Sequence, residues 1–215
     1  FPRPRGKDAA GAACLSSSTL RSLSFAPPLL FTLGRCRAGC TPRPAYQTVW
    51  SEPPYSERFY PNEAAARLRT NLSTSDHVTL LAVRGVSQVV GFGLGVPLAS
   101  RQQAAKALRG LVPIEHTYYL ADLGVLPAWR GRGIGRLLTD LRLQLIDRRR
   151  FNHVVLRTSA HKNFSYDMYL NLDFSDMGVY QEVESRRTDG SVQTDRRLFL
   201  CRVLDPATVP DPEDD

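Results

Sequence analysis

The chain has 215 residues, 42% of them hydrophobic and 23% charged, with a formal net charge of +7. That is the composition of one globular domain with an ample core, so neither disulfides nor metals are needed for folding. No apolar run reaches the ~20 residues of a membrane helix, which excludes helical integral membrane proteins; the longest, Leu29 to Leu33, is far too short.

The charge is unevenly spread. Residues 1–45 hold seven basic residues against Asp8 alone, and residues 205–215 hold five acids and no base. A basic head and an acidic tail flank a mildly basic body, so the pI argues little for nucleic acid, which is not an expected partner. Residues 1–45 are rich in Arg, Ser, Ala, Gly and Pro without periodicity, which predicts a disordered or targeting-like segment. A chain beginning at Phe1 is also open to reading as a fragment. Cys14, Cys36 and Cys40 fall in that segment and lack a second ligand pair at zinc spacing, so no metal is expected. Cys201 reads as a small core residue in a reducing compartment.

The domain expected over 46–204 opens on a β-like run, Tyr46 to Trp50, broken by Glu52-Pro-Pro-Tyr55. Asn62 is placed to cap a helix over 63–72, with Ala64, Ala65, Leu68 and Leu72 at helical spacing. Two strands, 77–83 and 88–96, form a hairpin around 84–87. Glycines 91, 93 and 95 strip one face of the second strand, which implies close approach of another backbone or a ligand. A helix with a soft start is expected over 99–112 and a strong strand over 117–125. The best helix runs from Gly133 to Arg149, with Ile134, Leu137, Leu138, Leu141 and Leu145 on one stripe. A strand over 153–158, a helix over 163–170 and two strands around Thr188-Asp189-Gly190 complete the order. The class is α/β with a mixed sheet. Arg148 to Arg150 would complement the long helix's dipole. Arg186, Arg187, Arg196 and Arg197 would face solvent beside the last turn.

The segment Val125-Leu-Pro-Ala-Trp-Arg-Gly-Arg-Gly-Ile-Gly135 carries the chemistry. A strand ends, a glycine-rich turn follows, and an amphipathic helix begins. Main-chain N–H groups at a helix N-terminus, with Arg130, Arg132 and Arg136 alongside, suit a pyrophosphate. The turn lacks the Gly-Lys-Ser/Thr of a P-loop, and Arg136 stands where a dinucleotide fingerprint needs its third glycine. It does satisfy R-x-x-G-x-G through Arg130, Gly133 and Gly135, after a strand ending V-x-P.

That motif resembles the acetyl-CoA motif of the GNAT N-acetyltransferase superfamily. Tyr169-Leu-Asn-Leu-Asp-Phe174 resembles the family's later Y-x-x-x-G-F, with Asp173 in place of Gly, and Asn163 lies one residue nearer the Tyr than is usual. The resemblance implies a mixed, mostly antiparallel central sheet flanked by helices, with strands splayed at an acetyl-CoA cleft. It implies direct transfer of acetyl from acetyl-CoA to a primary amine. It assigns cofactor binding to Leu123, Val125, Arg130, Gly131, Arg132, Gly133, Ile134, Gly135, Arg136 and Asn163, with the main chain around Val125 facing the thioester. Tyr169 matches the tyrosine that serves the departing thiolate. Some branches carry Glu-Asp on the strand before the motif; here the pair is Ala121-Asp122, so Asp122 is either the base or an anchor of the strand. Glu52 and Tyr55 are the expected acceptor contacts, and the carboxylate would favour a cationic amine. Family members pair as dimers through the C-terminal strands, so a homodimer is an expectation. The missing Glu at 121 and Asp173 motivate an alternative, a catalytically weak acyl-CoA-binding regulatory module. The expected compartment is cytoplasmic, with organelle targeting by residues 1–45 as the alternative.

Overall fold

A computed structural model describes residues 29–33 and 42–205, apart from Pro54 and Val86. The disordered or targeting reading of the remaining N-terminal residues, and the acidic tail from 206, lie outside the described residues. No helix of the described residues is long and apolar enough to cross a membrane.

The elements are β1 (Leu29–Leu33), α1 (Arg43–Ser51), α2 (Pro61–Ser73), β2 (Val78–Arg84), β3 (Gln88–Pro97), α3 (Gln102–Ala107), β4 (Thr117–Val125), α4 (Ile134–Leu145), β5 (His153–Ser159), α5 (Phe164–Leu170), β6 (Ser175–Arg186) and β7 (Val192–Val203). The strands form one sheet in the order β1-β2-β3-β4-β5-β7-β6. Only β4 and β5 run parallel; every other pair is antiparallel. The run Leu29–Leu33, too short for a membrane, pairs with β2 as an edge strand.

Helices α4 and α5 cover one face of the sheet. Their core joins Ile134, Leu138, Tyr166 and Tyr169 to Leu80, Val90, Leu120 and Leu156. Helices α1 and α2 cover the other face, where Tyr46, Val49, Ala64 and Leu68 meet Leu81, Val83, Phe92 and Leu94. A third cluster, on Val96, Leu98, Tyr119, Val155 and Phe199, lies beneath α3.

Several elements depart from expectation. The β-like run at Tyr46–Trp50 is helical. Pro44 sits in the first turn, and Ala45, Tyr46 and Val49 bury one helix face, so tertiary packing overrides the β propensity of five residues. Helix α2 starts at Pro61, one residue before the expected cap at Asn62. Proline's fixed φ suits the first helical position, and the Tyr60 N–H donates to the Glu63 carboxylate at 2.8 Å. The helix expected over 99–112 is reduced to Gln102–Ala107, because Gly110 turns the chain at φ +80°. Helix α4 stops at Leu145, where Ile146 goes extended and buries. The three arginines therefore lie beyond the helix. Arg148 Nη2 still donates to the Leu143 carbonyl at 2.9 Å, and Arg150 pairs with Asp76 at 2.7 Å. Arg187 is buried and Arg197 half-buried rather than solvent-facing, held by Asp195 and, for Arg197, by Glu57 at 2.6 Å.

Candidate active site

Strands β4 and β5 pair only from Thr117–His153 to Leu120–Leu156. Beyond that point β4 stays with β3, ending at Gly91–Val125, while β5 stays with β7 as far as Ser159–Arg197. The two strands part and leave a gap in the middle of the sheet. The parting coincides with a bulge. Leu94 faces Asp122 and Gly95 faces Leu120, so Ala121 is the extra residue on β4. The bulge turns Ala121 and Asp122 to the same face, that of α1 and α2.

The edge of β4 that borders the gap is defined by its hydrogen bonding. Leu126 N donates to Val90 O at 2.9 Å, so Val125 and Gly91 form a non-hydrogen-bonded pair. The N–H and C=O of Val125, and of Leu123 two residues earlier, therefore point away from β3 into the gap. Arg130 Nε reaches the Val125 carbonyl there at 3.1 Å. Both side chains pack toward α4.

The turn after β4 meets the gap at the N-terminus of α4. Gly131 and Gly133 take φ of +72° and +76°, a region that costs other residues strain. A Cβ at either would meet nothing within 4 Å, so the space above the turn is open. Among the described residues, none of the six consecutive N–H groups from Gly131 to Arg136 donates to a main-chain carbonyl. They precede the first internal bonds of α4 and converge where its dipole is positive. Arg132 lies over the Trp129 ring at 4.9 Å, and Arg136 pairs loosely with Asp140 at 3.9 Å. The donor set fits a pyrophosphate: many N–H groups, exposed cations at the rim and no side chain in the way.

Tyr169, on α5, is buried against Phe174. Burial pushes its hydroxyl up to about 12; the adjacent Arg142 guanidinium opposes this, and the nearby Tyr55 and Tyr119 hydroxyls add to it. Asn163 caps α5, its Oδ1 accepting from Ser165 N at 3.2 Å and Ser165 Oγ at 2.6 Å. The Tyr55 hydroxyl is raised by burial and by Glu57, and lowered by Arg197 and by hydrogen bonding to Asn163 and Ser165.

On the α1 and α2 face the gap opens into a cavity of about 710 Å³. Tyr119, Ala121 and Asp122 of β4 and Arg157 of β5 form its floor; Tyr46, Trp50, Tyr55 and Phe59 form an aromatic wall. Asp122 is buried and stands 4.0 Å from Arg67. The β6–β7 hairpin closes one side. Arg58 N donates to Arg186 O at 2.7 Å, Thr188 N donates to Ser56 O at 2.9 Å, and Arg187 donates to the Tyr55 carbonyl. Glu52 does not line the cavity. It terminates α1, and its carbonyl accepts from Ser56 N at 3.0 Å. Glu57 and Glu63 line the cavity instead, both already ion-paired with arginines.

Arg142 was not anticipated. It is fully buried inside the α4 stripe. Nη1 donates to Leu94 O at 2.9 Å and Asp122 O at 3.2 Å, Nε to Leu138 O and Nη2 to Thr139 Oγ1. It pins the two carbonyls at the bulge. An arginine interrupting an apolar stripe opposite Gly93 was the available signal.

The sequence model of the acetyltransferase (GNAT) family matches residues 42–174. No curated protein sequence matches the chain. The fold is similar to that of the ribosomal-protein-alanine N-acetyltransferase of Brucella melitensis, at 17% identity and TM-score 0.54, over 75% of this chain and 91% of that one. It is similar to an N-acetyltransferase of Staphylococcus aureus Mu50, at 14% identity and TM-score 0.58, over 82% and 99% of the two chains. It is also similar to Arabidopsis thaliana NAA60, solved with acetyl-CoA, at 16% identity and TM-score 0.55, over 82% and 98%.

Proposed function

The chain belongs to the acetyltransferase (GNAT) family, and from that premise we propose that it moves an acetyl group from acetyl-CoA to a primary amine by direct transfer. The family uses acetyl-CoA, which supplies an activated thioester. The single observation that carries the reading is the set of six N–H groups, Gly131 to Arg136, without main-chain acceptors beside the free edge of β4.

Each part of the chain then has a task. The turn binds the pyrophosphate through Gly131 to Arg136, and the arginines at 130, 132 and 136 add screened attraction. The free edge at Leu123 and Val125 orients the acyl arm, and a main-chain N–H there stabilises the carbonyl oxygen as charge develops on it. The amine enters from the aromatic cavity and must arrive neutral. The Asp122 carboxylate on the cavity floor is the candidate to accept its proton, directly or through water. The amine nitrogen bonds to the carbonyl carbon, the carbon–sulfur bond breaks, and Tyr169 supplies a proton to the leaving sulfur. Its raised pKa keeps the phenol protonated at neutral pH. Asn163 holds the start of α5, and with it Tyr169, at the mouth of the gap.

Thermal melting with and without acetyl-CoA tests the reading. At ~100 times the dissociation constant, the ligand adds about 2.7 kcal/mol of stability, a rise of several degrees. Gly133→Glu places a carboxylate among the phosphate donors and abolishes the rise. A chain that melts unchanged at millimolar acetyl-CoA would overturn the proposal.

A further inference from the structure

The cavity on the α1 and α2 face carries more positive charge than its carboxylates neutralise. Six arginines line it, against Glu57, Glu63, Asp122 and Glu184. Arg67, Arg186 and Arg197 are matched to Asp122, Glu63 and Glu57. Arg58 stacks over Tyr60 at the exposed rim. Arg101 and Arg157 are the informative pair. Among the described residues neither has a carboxylate within 4.0 Å.

Both guanidiniums are nevertheless held in place. Arg101 Nη2 donates to Asn71 Oδ1, and Arg157 Nη1 donates to Gln181 Oε1 at 2.7 Å. A side-chain amide orients a guanidinium without cancelling its charge, which leaves the planar fork available to an oxyanion. The opposite charge is supplied on the same floor by Asp122. The Tyr119 hydroxyl, on β4 just before the bulge, is raised chiefly by burial, and Arg157, Asp122, Arg67 and Arg101 lie near enough to act on it.

We propose that the acceptor is a zwitterion of the α-amino-acid type, its carboxylate held by Arg101 and Arg157 and its amine turned toward Asp122 and the free edge of β4. This rests on the acetyl-transfer reading above and names its substrate class. A cavity of about 710 Å³ with an aromatic wall has ample room for such a molecule with an apolar side chain. A polyamine would bring only positive charge to two uncompensated guanidiniums.

Matched pairs test the assignment on the full chain. Each L-amino acid is compared with its own amino amide, which keeps the amine and side chain and removes the carboxylate charge. The expected result is a kcat/KM higher for the acid by about tenfold or more, since a charged hydrogen bond contributes ~1.5–3 kcal/mol. Arg101→Gln and Arg157→Gln, each made separately, raise the KM of the acid and leave that of the amide unchanged. In parallel, calorimetry on the CoA-bound chain should show an N-acetyl amino acid binding more tightly than its amide. Faster transfer to amides or diamines, or an acid preference that survives both variants, overturns this proposal while acetyl transfer stands. Acetyl-CoA binding with transfer to no amine, and no preference for the N-acetyl acid, overturns both.

Discussion

Arg142 occupies the space that Gly93 leaves empty. A Cβ on Gly93 would stand 2.9 Å from Arg142 Nε and 3.0 Å from its Cδ. The glycine on β3 is thus the reason a guanidinium on α4 can lie under the sheet and hold the Leu94 and Asp122 carbonyls where β4 parts from β5. Gly93→Ala should overpack this site and cost about 1–3 kcal/mol. Arg142→Met should cost about 2 kcal/mol or more, because two buried carbonyls lose their donor. The double variant should cost less than the two together, since the shorter side chain makes room for the methyl. Chemical denaturation of the four proteins checks this, and strictly additive costs would contradict the packing relationship.

Tyr169→Phe should lower kcat by about 10² and leave the affinity for acetyl-CoA unchanged, as expected of a lost proton donor. The hydroxyl is buried beside Arg142, so the melting temperature of the variant is measured as well. A kcat within about twofold of the parent would remove the phenol from the reaction.

The buried tyrosines predict an alkaline limit to stability. Tyr46, Tyr55, Tyr118, Tyr119 and Tyr169 are all raised from their ordinary value of 10.0, chiefly by burial. A phenol with a raised pKa in the folded chain favours folding while the unfolded phenol is still protonated. Its contribution is complete below pH 10 and is lost as pH rises; for Tyr169 the loss runs up to about pH 12. Unfolding should therefore accompany a cooperative burst of tyrosinate absorbance above pH 10. Independent, gradual ionisation with the fold intact would refute it.

Glu57→Gln should loosen the wall of the acceptor cavity. Glu57 ties the segment after α1 to Arg197 on β7 at 2.6 Å, while Arg197 keeps Asp195 at 3.0 Å. Because one carboxylate remains, the loss should be about 1–3 kcal/mol, below the range for an arginine stripped of every partner. The acceptor KM should rise several-fold and the acetyl-CoA affinity should hold. A matching loss of acetyl-CoA affinity would place Glu57 on the wrong side of the gap.

Much of this was legible along the chain, and for local reasons. Thr117–Val125 is a largely apolar run that ends in a turn, Gly131 and Gly133 need φ values that suit glycine, and Ile134 to Leu145 repeats at helical spacing. Asp122 could be named as a candidate because it lies shortly before that turn, and Tyr169 because Tyr169 to Phe174 resembles the family's later motif. Three features needed the folded sheet. The run at Tyr46–Trp50 has the residues of a strand, but burial of Tyr46 and Val49 against β3 makes it a helix. The glycines at 91, 93 and 95 signalled close approach of a backbone or ligand; the Gly124 carbonyl does approach Gly91, but the other neighbours are side chains, Ile134 and Leu138, Arg142, and the Tyr118 ring. The charge of the cavity on the α1 and α2 face is the third. By sequence it is a scatter of arginines from Arg58 to Arg197, and the pairing that neutralises three of them and leaves Arg101 and Arg157 uncompensated spans up to 140 residues. Periodicity and turn chemistry act between neighbours, so the chain itself determines the glycine turn and its helix. Ion pairing and desolvation act through space, so only the tertiary structure decides which charges remain for a substrate.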